Sequence, residues 1–107
     1  MQEQLKVALI QSDLVWENPV QNRANFSVKI DAISEKVDLV VLPEMFTTGF
    51  TMNAEKVAET MQGDTVEWMK QMASKHKTAL VGSIVISENK KYYNRLLFVE
   101  VSGDISI

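Results

Sequence analysis

The chain has 107 residues, 46% of them apolar, with 11 basic and 14 acidic side chains and a net charge of −3. That suffices for one small domain with a packed core, and the interspersed charges leave no basic footprint for nucleic acid and no polybasic patch for a membrane surface. The absence of cysteine excludes disulfides, thiolate metal sites and a cysteine nucleophile within these residues.

In chain order, residues 5–11 read as a first strand. Its apolar part, residues 7–10, is too short for the core of a signal peptide. No apolar run approaches a membrane span, so a cytoplasmic protein is expected. Asn18-Pro19 is a helix start, with Asn as the cap and Pro suited to the first turn. Phe26, Ile30, Ile33 and Val37 then recur with helical spacing as one apolar stripe. Residues 39–42 are a wholly apolar run that reads as a strand buried on both faces. Strand, helix and strand make a βαβ unit with parallel strands and a right-handed crossover, so Gln11 and Glu44 should emerge on one edge of the sheet.

Asn53 could cap a short helix reaching Met61, with Glu55 and Glu59 as an acidic pair on its solvated side. Asp64-Thr65-Val66-Glu67 resembles a capping box at the head of a longer helix. That helix ends near Lys75-His76-Lys77, where cations suit a helix C-terminus. Residues 78–87 and 92–101 read as strands joined by the polar turn at 88–91, an antiparallel hairpin. Residues 105–107 begin a fifth strand after the turn Ser102-Gly103-Asp104.

Chemistry is expected at Glu44. Pro43 cannot donate to a ladder and ends the strand, and the next residue is a carboxylate at the strand's C-terminal end, where open α/β sheets keep their ligands. On spacing alone, a lone acid after a strand reads first as a solvated residue. Phe46 and Phe50 either line a substrate pocket or belong to the core. Asn94 either supports the site from a neighbouring strand or is a satisfied buried amide. His76 reads as a surface residue, Trp16 and Trp68 as packing residues, and Met61, Met69 and Met72 as core. One histidine and scattered acids make no metal set. A nucleotide-binding βαβ module is disfavoured, because residues 12–16 contain no glycine to cradle phosphates.

Taken together, Val7-Ala8-Leu9-Ile10-Gln11, the helix after Asn18-Pro19, Leu39-Val40-Val41-Leu42-Pro43-Glu44, Ala79-Leu80-Val81-Gly82-Ser83 and the Tyr93-Asn94 strand resemble the N-terminal part of the carbon–nitrogen hydrolase (nitrilase) superfamily, in the family's order. The stretch Pro43-Glu44-Met45-Phe46-Thr47-Thr48-Gly49-Phe50 is most similar to the ω-amidase branch, whose members hydrolyse the side-chain amide of α-keto acids such as 2-oxoglutaramate.

The resemblance implies an α/β fold: the N-terminal part of a nitrilase-type α-β-β-α sandwich with a mixed sheet, residues 1–107 forming part of a single domain. It implies a Glu–Lys–Cys catalytic set, thioester chemistry, no cofactor and a small-molecule amide substrate. Glu44 matches the general base. A base working near neutral pH is served by partial burial, which is therefore expected at Glu44. The family's lysine follows the strand beginning at Ile105. Lys90 and Lys91 do not match it, and no residue matches the nucleophile. The chain is thus expected to be a truncated portion, inactive alone, that associates with the missing C-terminal segment or with its own copies. The alternative is a non-catalytic interaction or regulatory half-domain, whose unpaired strand edges would need a cover.

Overall fold

The computed structural model of the protein describes residues 4–107. Five strands form one sheet in sequence order: β1 (Val7–Leu9), β2 (Leu39–Val41), β3 (Ala79–Glu88), β4 (Lys91–Val99) and β5 (Ile105–Ser106). β1, β2 and β3 are parallel, while β4 and β5 are antiparallel to their neighbours. Helix α1 (Pro19–Asp31) joins β1 to β2. Helices α2 (Ala54–Val57) and α3 (Asp64–His76) lie between β2 and β3. The hairpin turn places Asn89 at φ 52° and Lys90 at φ 63°, the positive pair that a two-residue turn needs to match the strand twist.

The Asn18 side chain accepts a hydrogen bond from the Gln21 N–H at 3.1 Å, and Pro19 opens α1. The helix stops at Asp31, so Ile33 and Val37 reach the core from the connection that follows. The capping box expected at α3 does not form. Asp64 is already helical, and Gly63 caps without a side-chain bond. Glu59 takes over from outside the helix: its carboxylate accepts the Thr65 N–H at 2.8 Å and the Thr65 hydroxyl. Arg23 donates to the same hydroxyl at 2.9 Å and stands 3.7 Å from Glu59. An anion satisfies the orphaned donors and the positive end of a helix. Glu59 is therefore no solvated partner of Glu55; α2 ends at Val57, and Glu59 bridges to Ile86 of β3.

Side chains alternate across each strand. Val40, Leu80, Leu97 and Val99 point to one face and are fully buried with Phe26 and Ile30 of α1 and Val66 and Met69 of α3. The other face carries Leu9, Val41, Val81 and Phe98 in one register row. Leu9, Leu96 and Phe98 of this face are exposed. The burial on both faces expected of β2 is thus met on one only: Val40 is buried, whereas Leu39 and Val41 are half-buried.

Gly82 sits inside β3 because Phe46 lies against it. A Cβ there would come within 3.0 Å of two Phe46 ring atoms and 3.1 Å of the Leu42 Cβ. In an uncrowded strand Gly→Ala gains roughly 0.5–1 kcal/mol. Here the overpacking cost of about 1–3 kcal/mol wins, so Gly82→Ala should lower the urea midpoint of the folded protein.

The loop before α1 is tied to the loop after β2 through Glu17, itself at φ 50°. The Glu17 carboxylate accepts from the Thr51 hydroxyl, from Asn53 Nδ2 at 2.8 Å and from Lys56 Nζ at 3.2 Å. The Thr51 bond foremost, then those from Asn53 and Lys56, holds its carboxyl below the usual glutamate range. A depressed folded-state value means stabilisation that is complete above the unfolded value of about 4.3 and is lost as pH falls through the folded one. Asp31, lowered by Lys75 and then His76, acts with the same sign. Stability measured from neutral pH into acid should therefore fall below about pH 4, and Glu17→Gln should make that fall shallower.

Candidate active site

The parallel ladder between β2 and β3 does not simply stop at Leu42. The Leu42 N–H donates to the Val81 carbonyl at 2.8 Å. An unbroken ladder would then bring residue 44 to Ser83. Instead the Phe46 N–H makes that bond, at 3.2 Å. Two extra residues are accommodated, and Pro43-Glu44-Met45 bulges out between the two bonds. Glu44 is carried at the outside of the bulge and is exposed. The partial burial expected of it is not found among the described residues.

The bulge is held from several sides. Met45 takes a left-handed conformation at φ 48°, a strained choice for a side chain of its size. Its N–H donates to Ser83 Oγ at 2.8 Å. Its carbonyl accepts from Thr48 N at 3.1 Å and Gly49 N at 2.8 Å, closing the turn. Gly49 has φ 78°, and the Trp16 ring packs against the space its side chain would fill. Asn22, fully buried on α1, donates through Nδ2 to the Thr47 and Val15 carbonyls, both at 2.7 Å, and accepts from Val15 N at 2.8 Å. The Glu17 N–H donates to the Thr48 carbonyl at 2.9 Å.

The two phenylalanines after Glu44 part company. Phe46 is completely buried, edge-on to Phe26 at 5.6 Å and tilted against Trp68 at 5.7 Å. With no surface left to meet a ligand, it is the anchor of the turn, and of its two readings, pocket wall and core, the second holds. Phe50 is 70% exposed. It lines an open, mainly apolar groove of about 330 Å³ with Met45, Met52, Val85, Tyr92 and Asn94. Asn94 is exposed on β4 opposite Val85, so the buried-amide reading of it does not hold. The groove brings Phe50 and Asn94 together beside the residue that follows Glu44.

His76 stands apart from this edge. It is partly buried and lies 2.7 Å from Asp31, linking the ends of α3 and α1 rather than standing free on the surface. Among the described residues no group of three or more His, Cys, Asp or Glu side chains could hold a metal ion, and no helix is long and apolar enough to cross a membrane. Asn22, Ser83 and Glu17 were not singled out by sequence reasoning. Asn22 did leave a signal: it lies four residues before Phe26, a polar side chain on an apolar stripe.

The carbon–nitrogen hydrolase family matches residues 6–107. Among curated relatives, the Omega-amidase YafV of Escherichia coli (strain K12) is 36% identical over 101 residues, covering 94% of this chain and 39% of the relative. The 2-oxoglutaramate amidase of Bacillus subtilis (strain 168) is 29% identical over 101 residues, covering 92% and 39%. The chain thus spans about two-fifths of the length of these relatives. Among solved structures, XC1258 from Xanthomonas campestris, a CN-hydrolase superfamily protein with an arsenic adduct in its active site, superposes with a TM-score of 0.90 at 33% identity, covering 95% of this chain and 38% of that one. The five-stranded mixed sheet is that of a carbon–nitrogen hydrolase, and the chain belongs to that family.

Proposed function

We propose that residues 1–107 are the glutamate-bearing portion of an amidase that hydrolyses the terminal amide of a small α-keto acid such as 2-oxoglutaramate. The observation that carries this reading is Glu44, presented on a built bulge at the C-terminal edge of the parallel strands. The names of the relatives, an omega-amidase and a 2-oxoglutaramate amidase, support the substrate class.

In this reading a lysine and a cysteine from outside these residues complete the set. Glu44 accepts the thiol proton as the sulfur attacks the amide carbonyl. The lysine stabilises the oxyanion, and Glu44 returns the proton to the departing amine as ammonia leaves. Water, deprotonated by the same carboxylate, then attacks the thioester carbonyl; the C–S bond breaks, the proton passes from Glu44 to the departing sulfur, and the free acid and the thiol result. Phe50 and Asn94 form one wall of the acyl site through the groove beside Met45. The exposed face bearing Leu9, Leu96 and Phe98 is the one a second sheet covers in an α-β-β-α sandwich. An uncovered apolar sheet face of this kind marks an interaction surface.

The test uses these residues in a chain extended to the length of the relatives, with ammonia release from 2-oxoglutaramate as the assay. Glu44→Gln should cut kcat by at least 10²–10⁴-fold, the ordinary range for a general acid–base. Because Glu44 is exposed, its unfolding midpoint should barely move. Residues 1–107 alone should release no ammonia. Retained activity in Glu44→Gln, or hydrolysis by residues 1–107 alone, would overturn the reading.

A further inference from the structure

The bulge that presents Glu44 creates a donor that the sheet does not satisfy. In a parallel ladder alternate residues of a strand bond to a given neighbour, and the Leu42 and Phe46 N–H groups use the Val81 and Ser83 carbonyls. The Met45 N–H, left between them, lies in a buried hydrogen bond, and the residue as a whole is buried. A buried backbone donor must find an acceptor. From 81 to 86, β3 reads Val-Gly-Ser-Ile-Val-Ile, and Ser83 alone in that stretch has a side-chain oxygen. Ser83 is 2% exposed, and its hydroxyl accepts the Met45 N–H at 2.8 Å.

We propose that Ser83 is a positioning residue for Glu44: its hydroxyl fixes the Glu44–Met45 peptide in the bulged, left-handed path and so sets the direction of the carboxylate. The inference rests on Glu44 acting as the general base. Without the hydroxyl, the Met45 N–H loses its buried acceptor. The peptide then gains by rotating toward a negative φ at Met45, which relieves strain and finds a new partner. Phe46 stays anchored in the core with its own bond to the Ser83 carbonyl, which no side-chain change removes. The displacement therefore falls on Glu44 and not on the fold. An error of about 1 Å in a catalytic group can cost on the order of 10²-fold in rate.

The experiment compares Ser83→Ala, Ser83→Thr and Glu44→Gln in the same extended chain, with kcat, KM and urea midpoint measured for each. Ser83→Ala is expected to lower kcat by about 10–10²-fold, with KM close to that of the parent and a midpoint lowered by no more than one lost hydrogen bond, too little to unfold the chain under assay conditions. Ser83→Thr, which keeps an acceptor, should recover most of the loss. An inactive Glu44→Gln beside a Ser83→Ala of undiminished kcat would overturn the role of Ser83 and leave the general base standing. So would a Ser83→Ala loss that follows the lowered midpoint or appears wholly in KM. A fully active Glu44→Gln would instead overturn the general-base reading, and the Ser83 inference with it.

Discussion

Two hydrogen bonds to β3, from Leu42 to Val81 and from Phe46 to Ser83, determine where Glu44 stands. Each end of the bulge is pinned to the same rigid strand, so the excursion between them has little freedom. The left-handed conformation of Met45 costs roughly 1–2 kcal/mol. Burying the ring of Phe46, the next residue, contributes about 1.5–3 kcal/mol, and the Met45 and Phe46 hydrogen bonds add to it. The anchor outweighs the strain, and a strained backbone persists when its surroundings over-determine it. Gly82 belongs to the same constraint: without the bare Cα opposite, the Phe46 ring could not approach the strand so closely.

The second layer of support is polar and comes from the β1–α1 connection. Asn22 bonds to Thr47, and Glu17 reaches Thr48 with its backbone and Thr51, Asn53 and Lys56 with its carboxylate. The two loops at the C-terminal edge of β1 and β2 therefore behave as one unit. Asn22 uses both hydrogens of its amide nitrogen and its oxygen, so a buried amide that would be costly unpaired instead adds rigidity. A carboxylate presented on a loop is held in place only by such a backing, because the loop itself has no repeating hydrogen-bond pattern to hold it.

Much of the fold was legible because local chemistry and tertiary demand agreed. Asn18-Pro19 opens a helix in any context, and Pro43 ends a ladder wherever it falls. The chain's order of strand and helix then leaves few topologies. What was not legible depends on partners distant in sequence. The head of α3 looks self-capped by Asp64 and Glu67, yet Glu59 with Arg23 does the work, because a carboxylate arriving from outside meets the helix end without distorting the first turn. The bulge at Glu44 is likewise invisible locally: it is a matter of ladder phase between β2 and β3. Phe46 and Phe50 illustrate the same limit. They are four residues apart with the same side chain, but the reversal at Met45 to Gly49 turns one into the core and the other into solvent.

The one-sidedness of the sheet bears on how the site is built. Its helical face is closed by Phe26, Ile30, Val66 and Met69, while the row from Leu9 to Phe98 has no covering layer among the described residues. Glu44 and Phe50 are exposed, although Met45 and Val57 of α2 pack over Val85 at one end of this face. On the proposed reading such exposure suits the chemistry. A base that must take a proton from a thiol and later return it has to meet groups carried by another layer, so it cannot be enclosed by its own. Precision must then come from behind, through the backbone, which is where Ser83, Asn22 and Phe46 act. The sheet supplies an accurately placed carboxylate. On the same reading, the enclosure that excludes bulk water comes from whatever packs across the open face.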